Sequence, residues 1–175
     1  GGACTGLGIS PIRLEGVIGV LKAYSTRVGE GPFPTEQDND TGRRIRERGR
    51  EFGSTTGRPR RCGWFDALVA RYSVMINQTE CLALTLFDVL DAFDEIPICL
   101  AYEHQGRRFD VLPADLSVLK ACRPVWEILP GWKTDTSTAR RFEDLPEAAR
   151  HYVRRLEQAV GCEVGIISTS PQRDG

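Results

Sequence analysis

The sequence predicts an α/β protein whose sheet is largely parallel and flanked by helices. Two short runs, residues 81–87 and 96–102, are apolar at nearly every position, which is typical of strands in a sheet covered on both faces. Two longer segments, residues 64–77 and 146–160, carry apolar side chains at helical spacing. Because strands alternate with helices along the chain, a layered α/β architecture follows.

The first third of the chain is predicted to hold a strand, a loop and a helix. Residues 17–24 form an apolar run of strand length, although periodicity alone does not exclude a helix there. Residues 28–34 contain two glycines and two prolines, so they predict a shaped loop. Asp40 or Thr41 can then cap a short, mostly solvated helix that reaches Phe52.

The helix predicted over residues 64–77 is expected to bury one stripe in the core. The members of that stripe are Phe65, Leu68, Val69, Tyr72 and Ile76. The strand that follows is expected to run through Phe87 and end at Asp88.

The second half of the chain predicts a ribbon, a helix and a last strand. Between His104 and Trp132, a polar turn at residues 105–106 and several prolines indicate an antiparallel ribbon with loops. The second helix has Pro146 at its favoured first position and Gly161 as its stop. Residues 164–168 then supply a final strand.

Composition describes a globular chain without a global electrostatic field. Of its 175 residues, 41% are apolar and 27% are charged, and the net charge is −1. No apolar run approaches the roughly 18 residues that a membrane span needs, so no membrane partner is expected. The six cysteines are widely spaced with only two histidines to join them, which does not favour a zinc cluster or a disulfide framework. We therefore expect reduced thiols in a cytoplasmic protein.

The chain is predicted to be one domain, or part of one, because it shows no internal repeat and no low-complexity linker. It begins at Gly1 without methionine, in a predicted loop, and stops at Gly175 soon after an apolar strand. We expect it to be a piece of a longer protein.

An arginine-rich window between Arg43 and Arg61 is the most informative stretch. It holds eight arginines and two glutamates, a local net charge of +6, while the whole chain carries −1. Within it, residues 53–61 combine glycines, threonine hydroxyls and arginine forks that suit carboxylate or phosphate. This pattern predicts an anion-binding loop; a solvated basic face is the alternative.

Two strand ends are further candidates. Ligands of open α/β sheets bind at the carboxyl ends of strands, where Thr85 and Asp88 lie, and an aspartate there can accept hydrogen bonds from the N1–H and 2-amino group of guanine. A turn-forming or capping role is the alternative for Asp88. Residues 168–171 follow another strand with hydroxyl and backbone groups, although an ordinary strand-end turn would look the same.

Other motifs carry no chemistry of their own. The glycine-rich residues 1–8 lack the G-K-[ST] of a phosphate loop, and His104 and His151 have no partners at catalytic spacing. We interpret both histidines as structural. The residues thus predict anion and base recognition without a visible nucleophile–base pair.

Several stretches, taken in order, resemble the C-terminal part of the adenylosuccinate synthetase family. The longest are V-G-E-G-P-F-P-T-E at residues 28–36 and T-T-G-R-P-R-R-C-G-W at residues 55–64. The others are residues 1–8, 22–27, 88–91, 129–132 and 166–168. The resemblance covers essentially all 175 residues.

The resemblance implies a fold related to P-loop nucleotide-binding proteins, with residues 1–175 as the C-terminal part of a single domain. It implies a ligase that uses GTP, IMP, L-aspartate and Mg²⁺, acts as a homodimer, and makes adenylosuccinate on the route to AMP. The family's catalytic Asp and His, its phosphate loop and its magnesium ligand belong to the N-terminal part. We therefore expect no catalytic residue and no metal ligand in this chain.

The resemblance also implies a role for individual residues. The aspartate-binding loop would consist of Ser54, Thr55, Thr56, Gly57, Arg58, Pro59 and Arg60. IMP would be met by the Val28 backbone and by Arg58. GTP would be met by Arg60, Asp88, Ser168 and Thr169.

The chain departs from the family's usual pattern at two positions. Leu86 stands where the family usually has the lysine of T-K-L-D, and Ser170 stands where it usually has a glycine. Leu86 and Phe87 are expected to cover the guanine base in place of the lysine stem.

A function of a different class stays open on the residues alone. The arginine-rich window could belong to a non-catalytic module that binds nucleic acid or another polyanion. A loop that converges on one pocket would favour the ligase, whereas an arginine stripe across an open face would favour nucleic acid.

Overall fold

The computed structural model describes residues 2–172 of the chain. Its strands are β1 (Ile18–Lys22), β2 (Ser25–Arg27), β3 (Arg61–Gly63), β4 (Phe65–Asp66), β5 (Cys81–Thr85), β6 (Glu95–His104), β7 (Arg107–Phe109), β8 (Arg123–Pro130) and β9 (Glu163–Ile167). Its α-helices are α1 (Gly2–Leu7), α2 (Asp40–Arg48), α3 (Ala67–Asn77), α4 (Leu116–Ala121) and α5 (Glu147–Val160). Three short 3₁₀ helices cover Pro11–Arg13, Phe87–Ala92 and Phe142–Asp144.

The strands form a three-stranded parallel sheet, a four-stranded mixed sheet and a two-stranded antiparallel ribbon. Strands β1, β5 and β9 pair in that order and are all parallel. Strand β6 pairs parallel with β4 and antiparallel with β7 and β8, and β2 pairs antiparallel with β3. The predicted α/β architecture with a largely parallel sheet is therefore confirmed, as is the antiparallel ribbon between His104 and Trp132.

Helix α5 packs against the core with the stripe that the sequence predicts. Its buried residues are Ala149, Tyr152, Val153, Leu156, Ala159 and Val160. The Tyr152 hydroxyl donates to the Ala23 carbonyl oxygen at 2.8 Å, which ties the helix to the chain just after β1. The helix begins one residue later than predicted, since Pro146 is its N-cap, and it ends at Gly161 with a φ of 77°.

Helix α3 differs from its prediction in both extent and burial. Residues 65–66 form β4, and Asp66 caps the helix by accepting hydrogen bonds from the Leu68 and Val69 backbone N–H groups. Val69, Tyr72 and Ile76 are 44%, 45% and 57% exposed, so the prediction that the stripe is core is wrong for them. Periodicity shows which side chains share a face, but it does not show whether another element covers that face.

Several other predicted elements also differ from the structure, mostly at their ends. Helix α2 is capped by Asn39 and ends at Arg48, four residues short of Phe52. The start of the chain, predicted as a loop, contains α1 over its described residues. Strand β1 ends at Lys22, two residues before the predicted end. The strand predicted to run through Phe87 is β5, and it ends at Thr85 because Leu86 adopts left-handed backbone angles with a φ of 57°.

Candidate ligand-binding site

The loop over residues 53–60 is an exposed turn with a fixed base. The Gly53 N–H donates to the Arg58 carbonyl oxygen at 2.9 Å, and the Gly57 N–H donates back to the Gly53 carbonyl oxygen at 2.8 Å. Gly57 needs its lack of a side chain because its φ is 63°. The Thr56 hydroxyl oxygen accepts a hydrogen bond from the Arg58 N–H at 3.3 Å. These contacts close the loop upon itself.

The side chains of this loop face solvent. Those from Ser54 through Pro59 are exposed, whereas Arg60 is half-buried. Hydroxyl donors and the Arg58 guanidinium are therefore presented together on one short turn. Such a turn can bind a carboxylate without burying a charge in the absence of ligand.

The pairing of β2 with β3 brings Val28 beside this loop. Arg27 lies opposite Arg61 in the antiparallel register, so Val28 leaves β2 next to the point where Arg60 enters β3. Val28 is 78% exposed, and its side chain makes little contact with the core. The structure thus places two regions that are distant in sequence at one end of the same ribbon.

Arg61 holds the loop that follows Val28. Its Nη1 donates to the carbonyl oxygens of Gly29 and Gly31 at 3.2 and 2.9 Å. Its Nε donates to Glu36 Oε1 at 2.7 Å, and a second hydrogen bond from Nη2 completes a bidentate pair. The hydrogen bonds from Arg61 lower the pKa of Glu36 despite partial burial. Both ends of the glycine-proline loop are therefore anchored to β3.

Most of the contacts made by the arginine-rich window are internal. Arg44 donates to the Ala92 carbonyl oxygen, Arg46 to that of Arg60, and Arg48 to those of Asp88 and Val89. Arg60 and Arg61 pair with glutamates. The three α2 arginines bind that helix to its neighbours, and the five side chains do not form a free stripe across an open face. The nucleic-acid alternative is therefore not supported.

The carboxyl ends of β5 and β9 lie side by side, because the two strands pair in parallel. The Ser168 N–H donates to the Leu84 carbonyl oxygen at 2.8 Å, and the Phe87 N–H donates to the Ser168 carbonyl oxygen at 3.2 Å. Asp88 lies in the first turn of the 3₁₀ helix over Phe87–Ala92, three residues after β5 ends at Thr85. The two strand ends are joined by backbone hydrogen bonds.

Asp88 lines an open cavity of about 390 Å³. Arg48, Asp91, Lys133 and Asp135 also line it. Burial raises the pKa of Asp88, and the nearby carboxylate of Asp91 adds to that effect. A half-buried carboxylate of this kind gains most from a ligand that donates hydrogen bonds to it.

Thr169 and Ser168 have different surroundings. Thr169 is buried and lines a second cavity of about 330 Å³, which Arg140 and Arg141 also border. The half-buried Ser168 donates through its hydroxyl to the Ser170 carbonyl oxygen at 3.2 Å. Ser170 is not among the described residues with a positive φ, so its side chain causes no backbone strain where the family has glycine.

Phe87 does not cover a ligand. It is completely buried and stacks on Trp132, with ring centroids 4.8 Å apart and an interplanar angle of 10°. The prediction that Phe87 covers the guanine base is therefore wrong. Leu86 is half-buried and packs against the same core.

Glu51 is a buried carboxylate behind the loop that no sequence pattern predicts. Glu51 is 1% exposed and accepts hydrogen bonds from Lys22, Tyr24 and Arg60. The only sequence signal was an acidic residue within the arginine-rich window, which does not identify its partners. Lys22 and Tyr24 come from the apolar run at residues 17–24, for which the sequence predicts secondary structure and no contact with Glu51.

The side chains of residues 2–172 that can ligate a metal, the cysteines and histidines included, form neither a metal-binding cluster nor a disulfide. No three His, Cys, Asp or Glu side chains of that range are placed to hold a metal ion, and the six cysteines are all free thiols. His104 ends β6, and His151 is exposed on α5. No helix in that range is long and apolar enough to cross a membrane.

A model of the adenylosuccinate synthetase family matches residues 1–175. The chain belongs to this family. It is 53% identical over 174 residues to the adenylosuccinate synthetase of Geotalea daltonii and 54% identical to that of Geobacter sulfurreducens. Each match covers 99% of this chain and 40% of the relative. The chain therefore spans about two fifths of the length of these curated relatives.

A solved member of the family has the same fold. The fully ligated adenylosuccinate synthetase from Plasmodium falciparum superposes with a TM-score of 0.94 at 40% identity. The match covers 99% of this chain and 42% of that chain. The α/β arrangement described above is thus the adenylosuccinate synthetase fold over the part that this chain represents.

Proposed function

We propose that this chain is the C-terminal part of an adenylosuccinate synthetase, which joins IMP to L-aspartate at the expense of GTP. In that reaction the γ-phosphoryl group of GTP activates the purine 6-oxygen, and the aspartate amine then displaces phosphate. The single observation that carries the proposal is the family match over the whole chain. The exposed, closed loop at residues 53–60 beside Val28 supports it.

The aspartate-binding loop would recognise the two carboxylates of the substrate. Arg58 presents a planar fork that can donate two parallel hydrogen bonds, and the hydroxyls of Thr55 and Thr56 lie on the same turn. Gly57 and Pro59 fix the backbone of this turn, and Ser54 begins it. The role of the loop is to orient the substrate amine toward the activated purine.

The nucleotides would bind on either side of this loop. Val28 would approach the IMP ribose through its backbone, with Arg58 also near IMP. Arg60 would lie toward GTP, and Asp88 would accept hydrogen bonds from the guanine N1–H and 2-amino group. Ser168 and Thr169 would close the base pocket. The convergence of β5 and β9 supports this grouping of Asp88 with Ser168.

Catalytic residues and metal ligands would come from the remainder of the enzyme. Mg²⁺ would neutralise phosphate charge when bound, and no group of three His, Cys, Asp or Glu side chains within residues 2–172 is placed to hold it. We also propose that the intact enzyme is a cytoplasmic homodimer. The free thiols are consistent with a reducing compartment.

The guanine assignment is tested by Asp88→Asn in the full-length enzyme, assayed with GTP, ATP and xanthosine triphosphate. The amide can donate to the xanthine 2-oxo group while its oxygen accepts from N1–H, so preference should move from GTP toward xanthosine triphosphate by roughly tenfold or more. Asp135→Asn, an exposed carboxylate lining the same cavity, is the matched control and should keep the preference for GTP. If Asp88→Asn leaves the GTP preference unchanged, Asp88 is a turn residue.

A further inference from the structure

Glu51 is a buried carboxylate that connects three segments behind the candidate site. Its Oε1 accepts from Lys22 Nζ at 2.5 Å and from the Tyr24 hydroxyl at 2.6 Å, and its Oε2 accepts from Arg60 Nη1 at 2.8 Å. Lys22 ends β1, Tyr24 follows it, and Arg60 ends the proposed aspartate-binding loop. One side chain therefore joins the parallel sheet to the loop.

The backbone of Glu51 also fixes the base of that loop. Its N–H donates to the Arg46 carbonyl oxygen at 2.8 Å, and its carbonyl oxygen accepts from the Arg60 N–H at 2.9 Å. Arg46 in turn donates from Nε to the Arg60 carbonyl oxygen at 2.7 Å. Arg60 is thus held through its N–H, its carbonyl oxygen and its side chain.

The ionised side chains of Lys22, Arg60 and Glu51 together carry a net charge of +1. Lys22 and Arg60 share the single carboxylate of Glu51, and their side chains are 30% and 32% exposed while that of Glu51 is 1% exposed. The buried carboxylate lets two cations approach each other, and both keep part of their surface toward solvent. Such an arrangement suits an anionic ligand on the solvent side.

Tyr24 is a buried hydrogen-bond donor to the Glu51 carboxylate. Its side chain is buried, and burial together with the hydrogen bond to Glu51 raises the pKa of its hydroxyl, which stays protonated as a donor. A Cβ at Gly49 would lie 2.1 Å from the Tyr24 hydroxyl oxygen, so the C-cap of α2 leaves room for this contact only as glycine. Burial favours a raised pKa for Glu51, but its three hydrogen-bond donors outweigh burial and lower that pKa.

We propose that Glu51 is a positioning residue that aims the Arg60 guanidinium toward bound GTP. The proposal rests on the proposed function, and it adds a residue that touches no substrate itself. Glu51 takes one edge of the Arg60 fork, which leaves the other guanidinium donors to the ligand. Without the carboxylate, the arginine would lose its orientation and the two cations would repel each other.

The test is a double-mutant cycle in the full-length enzyme with Glu51→Gln, Arg60→Ala and the combined variant. Glu51→Gln keeps the size of the side chain but loses acceptor capacity, so it should raise the KM for GTP roughly tenfold. The KM for IMP should change by less than about twofold. The combined variant should have the GTP KM of Arg60→Ala alone, because Glu51 acts through Arg60. Glu47→Gln, an exposed glutamate on α2, is the matched control and should match the parent enzyme.

Several results would overturn the inference. Additive effects of the two changes, an unchanged GTP KM, or equal rises in the KM values of all three substrates would each show that Glu51 does not act through Arg60. If Glu51→Gln does not fold, as judged by thermal unfolding, Glu51→Asp replaces it and must raise the GTP KM selectively. A parent enzyme that makes no adenylosuccinate would overturn the proposed function as well, whereas an active parent with additive variants overturns the positioning role alone.

Discussion

Arg58 is the residue on which aspartate recognition would most depend. It stands on the exposed turn closed by the Gly53–Arg58 and Gly57–Gly53 hydrogen bonds, and its guanidinium is presented to solvent. A guanidinium can bind a carboxylate with two parallel hydrogen bonds, whereas an ammonium acts as a single point charge. The identity of this side chain therefore matters more than its charge.

Arg58→Lys is expected to raise the KM for aspartate by roughly ten- to a hundredfold, because charge-assisted hydrogen bonds contribute about 1.5–3 kcal/mol each. The KM for GTP should rise much less. Steady-state kinetics of the full-length enzyme, with each substrate varied in turn, measure both values. Arg50→Lys, at an exposed arginine outside the loop, should change neither. Equal effects of Arg58→Lys on aspartate and GTP would show that Arg58 does not bind the carboxylate.

Single residues were predicted well where local chemistry decides and poorly where distant contacts decide. The exposed loop at residues 53–60 could be predicted because glycines, threonines and arginines are local signals. The burial of Glu51 depends on Lys22, which is 29 residues away in sequence, and no local pattern reveals that contact. Phe87 was misplaced for the same reason, since its stacking partner Trp132 is far along the chain.

At the scale of elements, α3 shows how a cap decides where a helix begins. Asp66 accepts two backbone N–H groups of the first turn, and it also accepts a hydrogen bond from the buried Tyr102 hydroxyl. Burial raises the pKa of Asp66 even though these donors oppose that effect. The helix is therefore fixed to β6 at its first turn, and residues 64–66 cannot extend it.

Asp66→Ala is expected to destabilise the protein by about 1–3 kcal/mol, because it removes the cap and leaves the Tyr102 hydroxyl without its partner. Thermal unfolding of the full-length enzyme should therefore show a lower midpoint than the parent. Asp115→Ala removes an exposed cap of α4 and serves as the control, with a smaller expected decrease. A decrease no larger than that of the control would mean that the buried contact with Tyr102 contributes nothing.

Element types were predicted more reliably than element ends and covered faces. The predicted apolar stripe of helix α5 is buried because α3, β8 and β9 pack against this helix. Val69, Tyr72 and Ile76 of α3 share a face as predicted, yet no described element covers them. Strand β5 ends earlier than predicted because Leu86 adopts a left-handed backbone conformation. A pattern of apolar residues does not indicate the backbone conformation of a single leucine.

At the scale of the whole molecule, charge is distributed so that recognition can be local. The arginine-rich window carries +6 within a chain of net charge −1. Its arginines that donate to carbonyl oxygens or pair with carboxylates include Arg44, Arg46, Arg48, Arg60 and Arg61. This arrangement suits small anionic substrates better than a long polyanion.

The chain by itself also leaves apolar surface exposed. Ile18 and Val20 of β1 are 59% and 71% exposed, and Met75 of α3 is 65% exposed. Ile18 and Val20 are two residues apart and therefore lie on the same face of β1. Since the chain spans about 40% of the length of its curated relatives, tests of function require the full-length enzyme.

The most direct test of the central claim compares adenylosuccinate formation by the full-length enzyme and by residues 1–175 alone, each with IMP, L-aspartate, GTP and Mg²⁺. We expect the full-length enzyme to form adenylosuccinate with release of one GDP and one phosphate per turn. We expect the 175-residue chain to form none, because the resemblance places the catalytic and phosphate-binding residues outside it. A full-length enzyme without this activity, or a fragment that makes adenylosuccinate by itself, would contradict the account.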